Sequence, residues 1–412
     1  TPGTLGRNPG NGARLSALRL SVWFELWPWA GLLVGLAGGL ILLAAYSPRS
    51  GPLYKIRVGS FDFLLLRREA RPLDGPNSPV AVVGIDEASL GKFGDPIPRG
   101  KLQEAIQTIL DAGPAGVVLD MQFTTPDRTA SLVREALGAA EESIRKPGAF
   151  ETLSDKYDET SRLLTTLSDP RVIGTLYPYG HDETRVVPQP IPEDVAERLQ
   201  LVENNLTSEE DCVRFAGAEG ITLDRDQFLE AIVNHGSARL EAENDGIMRR
   251  YPLFIRYGES LYPSLAVAAA TLRNEMQSAT VDCEPSGILE IFAIGADYPL
   301  GLKGEAGYPD GRVWINFGGK FKESFPGWVS FQDLIPTAVS STASAPEMAA
   351  TEERERARAE EWKQKFGGKL VFLGPRTDYD DKYPTYNDNA FPGVAIHATV
   401  AHGLITKQWL HR

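Results

Sequence analysis

Two aspartates end apolar segments that are predicted to be neighbouring strands of a parallel sheet. Asp86 closes the segment VAVVGID, and Asp120 closes AGVVLD. Residues 101–110 lie between them and have apolar residues at helical spacing, so the order is strand, helix, strand. The carboxyl ends of parallel strands meet at one edge, where α/β folds bind ligands. A small-ligand or cation site is therefore predicted at Asp86 and Asp120.

Further charged residues lie in loops that can reach the same edge. Arg99, Arg249 and Arg250 supply counter-charges to the carboxylates. The complete set of candidate ligand-binding residues is Asp86, Arg99, Asp120, Asp245, Arg249, Asp378 and Asp381. The alternative is that these residues form Asp–Arg pairs and helix caps that fix loops, because structural ion networks commonly produce such clusters.

Motifs of catalysis and phosphate binding are absent from the sequence. It has no GxSxG, Walker loop or HExxH, and no GxGxxG after a strand. His397 and His402 are five residues apart, which does not suit a metal pair on one helix face, and His397 is interpreted as a core or hydrogen-bonding residue. We predict that the chain is not an enzyme and needs no cofactor and no metal.

The two cysteines, Cys212 and Cys283, do not have the spacing of metal ligands. In an oxidising compartment they can form a disulfide, and the alternative is two buried free thiols. Sequence alone does not give their separation, so both alternatives stay open.

Charge is distributed unevenly along the 412 residues. Residues 1–80 hold nine Lys/Arg and four Asp/Glu, a net +5, and the whole chain is −13, so the remainder is −18. A basic part beside an acidic one suits a protein standing on an anionic bilayer. The acidic bulk argues against nucleic-acid binding, which needs a basic face.

An uncharged segment of 21 residues, 26–46, has the length and composition of a membrane-spanning helix. Tryptophans cluster at one end of it, at Trp23, Trp27 and Trp29, and Tyr46 and Tyr54 lie at the other, as at membrane interfaces. The alternative is a cleaved signal peptide, but its apolar core is usually only 7–15 residues long. Glycines every four residues predict a face that packs on another helix; they are Gly31, Gly35 and Gly39.

Three arginines before this segment favour a cytoplasmic N-terminus. The predicted organisation is a cytoplasmic tail (1–22), a single transmembrane helix (23–47) and a large domain outside the cytoplasm (48–412). Within that domain, residues 336–366 are interpreted as a surface excursion, first a linker rich in Pro, Ser, Thr and Ala, then a charged helix.

A series of motifs carries a family resemblance over residues 54–410. In chain order they are FDFLLLRREA, VAVVGID, Pro98–Arg99, GVVLDMQF, NDGIMRRYPLF, YPSLAVA, WINFGG, GKLVFLGPRTDYDDKYPT and FPGVAIHATVAHGLI. Together they resemble the type-two CHASE domain (CHASE-2), a bacterial sensory domain outside the cytoplasm, found ahead of adenylate cyclases, histidine kinases and Ser/Thr kinases. One departure is that GDPIPRG replaces the aromatic pair that the family typically has before its Pro-Arg site.

The resemblance implies an α/β domain, expected here as three layers around a mostly parallel or mixed sheet, and a bacterial inner-membrane location. It does not imply a particular ligand. Family members usually continue into an output domain, and none follows in this sequence. We therefore expect a non-catalytic accessory subunit that braces a larger membrane assembly, photosynthetic or respiratory. Its partners would be other membrane subunits and the lipid bilayer. The alternative is a sensory input module that binds a small molecule.

Overall fold

The computed structural model describes residues 34–39, 52–124, 159–179, 216–224, 226–258, 260–274, 281–283, 288–291, 296–299, 311–336, 344–377, 381–408 and 410. The chain divides into two compact units, Thr1–Arg67 and Arg68–Arg412. Most of the predicted membrane segment 23–47 lies outside the described residues; of it, only 34–39 is described, as helix. None of the described helices combines the length and the apolar character that a bilayer crossing requires.

Besides the helical segment 34–39, nine α-helices are described, and they are numbered here in chain order. They are α1 (Pro52–Leu66), α2 (Glu87–Phe93), α3 (Arg99–Asp111), α4 (Glu159–Leu167), α5 (Asp226–Ala231), α6 (Leu265–Arg273), α7 (Phe321–Ser324), α8 (Ala345–Phe366) and α9 (Gly393–Thr406). A short 3-10 helix spans Phe331–Leu334.

The described strands include those of a seven-stranded mixed sheet and several short antiparallel pairs. They are β1 (Val80–Ile85), β2 (Gly116–Leu119), β3 (Val172–Tyr179), β4 (Ala216–Gly217), β5 (Gly220–Thr222), β6 (Asn234–Ser237), β7 (Arg250–Pro252), β8 (Phe254–Tyr257), β9 (Ser260–Pro263), β10 (Val281–Cys283), β11 (Ile288–Ile291), β12 (Ala296–Pro299), β13 (Arg312–Trp314), β14 (Val329–Ser330), β15 (Leu370–Pro375), β16 (Lys382–Tyr383) and β17 (Phe391–Pro392).

The large sheet has the order β14–β1–β15–β2–β3–β5, and β6 also pairs with β3. Its pairings are parallel except β3 with β5. The prediction that β1 and β2 are neighbours was wrong, because β15 lies between them and pairs with both. All three strands are parallel, so their carboxyl ends still share one edge, but Asp86 and Asp120 do not follow adjacent strands.

Helices cover both faces of the sheet and make three layers. Alternate residues of the central strands face opposite sides, as Val82 and Val83 do when each enters a different buried cluster. Helices α6 and α9 pack on one face, and α3, α4 and α8 lie on the other. The predicted α/β class with a mixed sheet is confirmed.

Local sequence explains the two helices on the first face. Ser264 caps α6, since its hydroxyl accepts the Val267 N–H at 3.3 Å. Helix α9 is apolar around most of its circumference, and its residues from Gly393 to Leu404 are all buried, as expected of a helix enclosed by its neighbours.

The charged excursion forms helix α8, which begins with a capping box made by Ser344 and Glu347. Most of its residues are exposed, but Trp362 and Phe366 near its end are buried in the core cluster below α3. The excursion is thus held to the domain by its last turns.

A candidate sensory site at the sheet edge

Three buried polar side chains form a cluster at the carboxyl edge of the sheet. The hydroxyl of Tyr251 lies 2.7 Å from Nδ1 of His397. On the other side of the imidazole ring, Nε2 lies 3.8 Å from Oδ1 of Asp120. His397 is 1% exposed and the Asp120 side chain 9% exposed. The charged or hydrogen-bonding atoms of this cluster are therefore removed from water.

Each residue of this cluster belongs to a different helix or strand, or directly follows one. Asp120 directly follows β2, Tyr251 is the central residue of β7, and His397 lies in the second turn of α9. Asp120 was predicted as a site residue, and His397 was interpreted as a core or hydrogen-bonding residue. Tyr251 was missed, since its strand carries no local signal beyond an alternating pattern.

The Tyr251 oxygen accepts the N–H of Ala266 at 3.4 Å and also lies within hydrogen-bond distance of Nδ1 of His397. The donor and the acceptor of the Tyr251–His397 bond follow from the tautomer of the imidazole: where the tyrosine donates, the imidazole proton resides on Nε2 and faces Asp120. Burial lowers the pKa of His397 to about 3 and raises the pKa of Tyr251, so both side chains are neutral near pH 7.

Two atoms of this cluster of Tyr251, His397 and Asp120 have no hydrogen-bond partner among the described residues. They are Oδ2 of Asp120 and Nε2 of His397. The 3.8 Å between Nε2 and Oδ1 is too long for a hydrogen bond. Leaving such buried groups unsatisfied costs about 1–3 kcal/mol each. The cluster is therefore suited to a group that both accepts and donates a hydrogen bond.

Asp381 lies next to this cluster, at the start of α9. Its backbone oxygen accepts the N–H of Gly393 at 2.8 Å, and a Cβ at position 393 would collide with its carboxylate. Tyr383 makes a side-chain hydrogen bond to Asp381. Burial first, and the charge of Asp381 second, raise the pKa of Asp120 well above its usual range. The structure thus brings the candidates Asp120 and Asp381 together, and Asp378 lies outside the described residues.

The candidate Asp86 caps a helix instead. Its Oδ1 accepts the Ser89 N–H at 3.0 Å, the Ser89 hydroxyl at 2.6 Å and the Ser330 hydroxyl at 2.9 Å. These bonds fix the start of α2 and connect it to β14. This geometry matches the helix-cap alternative.

The candidate Arg99 lies at the start of α3 and is buried. It donates to the Thr160 hydroxyl at 2.9 Å, and its guanidinium lies 4.7 Å from the ring centroid of Phe228. Phe228 in turn stacks on Phe123 at 4.6 Å. The contacts tie α3 to α4 and α5.

The candidates Asp245 and Arg249 form an ion network with Glu243. Arg249 donates two bonds of 2.8 Å to the Asp245 carboxylate and one of 3.3 Å to Glu243. Arg250 also donates to Glu243, at 2.6 Å. Glu243 was missed from sequence, although it is the buried centre of the network. The arrangement matches the alternative of Asp–Arg pairs that fix a loop.

The remaining candidates fall largely outside the described residues. Gly31 and Cys212 are not described, and for Cys283 the backbone in β10 is described but not the side chain. Gly35 and Gly39 lie in the helical segment 34–39. Helix packing by the glycines and the disulfide both stay predictions.

A metal site finds no support in the part of the chain that the structure describes. No group of three or more His, Cys, Asp or Glu side chains there is arranged to hold an ion. The absence of a cofactor and of enzymatic activity stays a prediction.

Comparison with known proteins identifies the family. The family model of the CHASE2 domain matches residues 20–412, nearly the whole chain. No curated protein and no solved structure matches it. The resemblance seen in the sequence is thereby confirmed, and the chain belongs to the CHASE2 family of extracytoplasmic sensory domains.

Proposed function

We propose that this chain is the ligand-sensing input module of a bacterial signalling protein, with its large domain in the periplasm and a single anchor helix at 23–47. The observation that carries this proposal is the pair of unsatisfied buried atoms, Oδ2 of Asp120 and Nε2 of His397. Buried polar groups in native proteins are nearly always paired, and exceptions concentrate at functional sites.

The chemistry of the two atoms defines the class of ligand. With Tyr251 donating to Nδ1, the Nε2–H of His397 is a neutral donor, and the Asp120 carboxyl presents an acceptor beside it. A hydroxyl or a primary amide accepts from the first and donates to the second, so one such group satisfies both. We therefore propose a neutral polyol, sugar or amide as the signal.

Helix α9 is proposed to carry the response. His397 lies in its second turn, next to the site, and its 14 residues extend about 20 Å along the helix axis. Just beyond its end, the Gln408 side chain accepts a bond of 2.6 Å from Arg71, and the Gln408 carbonyl accepts one of 3.1 Å from Asn316. A ligand that moves the start of α9 would thereby change the contacts of Arg71 near the first residues of this unit.

The expected role as a bracing subunit of a membrane assembly gains no support from the fold or the family. A CHASE2 domain is a sensory domain, which favours the input module. The two functions also differ in what they require of the sheet edge. A sensor needs a site that its ligand completes, and a bracing subunit does not.

The test is a thermal-melting screen of the full chain in mild detergent against single polyols, sugars and primary amides. We expect at least one compound to raise the melting temperature of the wild type and to have no effect on Asp120→Asn or His397→Gln. Asp86→Asn is the matched control and should keep the shift, because Asp86 caps α2. A shift that persists in both site variants would contradict the proposal.

A further inference from the structure

Arg376 directly follows β15 and lies at the carboxyl edge of the large sheet. The residue is half-buried, and its backbone N–H donates to the carbonyl of Ile85 at 2.9 Å. Alternate residues of β15 face opposite sides of the sheet, and Phe372 belongs to the buried cluster under α6 and α9. Trp328, which Arg376 contacts, packs against the same cluster. Arg376 therefore lies on the face of the sheet that α9 covers.

Two aromatic rings hold the guanidinium of Arg376. Its central carbon lies 4.0 Å from the ring centroid of Trp328 and 5.2 Å from that of Phe321. Gly84 leaves room for the aliphatic part of the side chain, because a Cβ at position 84 would lie 3.0 Å from both Cβ and Cδ of Arg376. Packing and cation–π contacts thus fix the position of this charge.

No carboxylate neutralises this guanidinium among the described residues. Arg376 takes part in none of their ion pairs, and its Nε is buried without a hydrogen-bond partner. An acid does contact the aromatic platform, but both oxygens of Asp388 are used, since Oδ2 accepts the N–H of Phe321 at 2.9 Å and Oδ1 that of Ala390 at 3.0 Å. A fixed guanidinium with unused donors is suited to bidentate binding of an anion.

We propose that Arg376 binds the carboxylate of a small organic acid at a second site, separate from the cluster of Tyr251, His397 and Asp120. The planar fork of N–H groups matches the two oxygens of a carboxylate. One guanidinium neutralises one negative charge, which a carboxylate carries, whereas a phosphate monoester carries about −1.5 to −2 at pH 7. The inference does not depend on the proposed sensory site, which takes a neutral ligand through other residues.

Thermal melting of the full chain in mild detergent, titrated with sodium acetate at an ionic strength held constant with sodium chloride, tests this site. Acetate should raise the melting temperature of the wild type. Its binding should be about tenfold weaker in Arg376→Gln, because charge-assisted hydrogen bonds are lost. Arg171→Gln is the matched control and should bind acetate as the wild type does, since Arg171 is already paired with Asp169 at 2.7 Å.

Further variants keep the two sites and the two anions apart. The melting transition without acetate shows that each variant is folded, and Arg376→Lys, which keeps the charge but loses the fork, should also bind acetate more weakly. Asp120→Asn should keep the full acetate effect. An acetate effect that is absent from the wild type, unchanged in Arg376→Gln and Arg376→Lys, or lost in Asp120→Asn would overturn the proposal. Stabilisation by inorganic phosphate and not by acetate would overturn the carboxylate as the ligand.

Discussion

The imidazole of His397 is held between Tyr251 and Asp120, bonded to the first at 2.7 Å and separated from the second by 3.8 Å. The bonded side holds the ring in place, and the open side leaves Nε2 of His397 and a carboxyl oxygen of Asp120 without partners among the described residues. This asymmetry distinguishes the cluster from Asp86, which caps a helix, and from Asp245 and Arg249, which form an ion pair. The proposed sensory site rests on it.

Tyr251→Phe tests whether the bonded side orients the imidazole. Removing the hydroxyl leaves Nδ1 of His397 buried without its hydrogen-bond partner, so we expect a loss of about 1–3 kcal/mol in the free energy of unfolding. Urea denaturation at pH 7 measures it. Ser168→Ala is the control, since the Ser168 hydroxyl makes an exposed bond to a backbone carbonyl and its loss should cost less than about 0.5 kcal/mol. Equal effects of the two substitutions would show that the Tyr251–His397 bond contributes nothing specific.

Asp224 gives a pH-dependence of stability. Its Oδ1 accepts the Phe123 N–H at 2.6 Å, and burial raises its pKa from 3.8 to about 7. Because the folded pKa is the higher one, the folded state retains a proton that the unfolded state has lost. The resulting stabilisation is complete below about pH 4 and is lost as the pH rises through 7.

Asp224→Asn should remove this dependence. Between pH 5 and pH 8.5 the wild type should lose about 2–3 kcal/mol relative to the variant, because about two units of the pKa shift, those between pH 5 and pH 7, fall in this range. Chemical denaturation of both proteins across this range provides the comparison. Parallel stability profiles would mean that Asp224 titrates normally and is not buried as described.

Arg249→Ala should break the buried ion network. Glu243 would lose one of its two arginine partners and Asp245 its bidentate partner, and disrupting a buried pair costs about 3–5 kcal/mol. Lys363→Ala is the control: its pair with Glu360 is exposed, at 3.7 Å, and should be worth less than about 0.5 kcal/mol. A loss for Arg249→Ala no larger than the control would exclude a structural role for the network.

Local pattern was sufficient to predict the elements but not their arrangement. The first two strands along the chain and helix α3 lie within two residues of their predicted bounds, because apolar spacing is a local property. Local pattern does not predict that β15 lies between β1 and β2. The β1–β15 pairing joins residues about 290 positions apart, and every apolar strand of this sheet is an equally good local candidate for pairing with β1.

Local pattern also predicted the residues of the candidate site only in part. Asp120 and Asp86 were both predicted as site residues because each follows an apolar strand. Two serine hydroxyls surround Asp86 and make it a helix cap, whereas Oδ2 of Asp120 has no such partner among the described residues. Tyr251 and His397 are 146 residues apart, and neither has neighbours in sequence that announce the contact. Arg249 was predicted as a ligand-binding residue, but its guanidinium donates a hydrogen bond to Glu243, six residues before it.

Hydrogen–deuterium exchange of the full chain, with and without a saturating compound from the melting screen, tests the central claim most directly. We predict that peptides covering 117–122 and 393–408 become more protected in the wild type, together with the peptide containing Arg71. The same compound should cause no change in Asp120→Asn. Protection confined to other parts of the chain, or identical in wild type and Asp120→Asn, would show that the signal binds elsewhere.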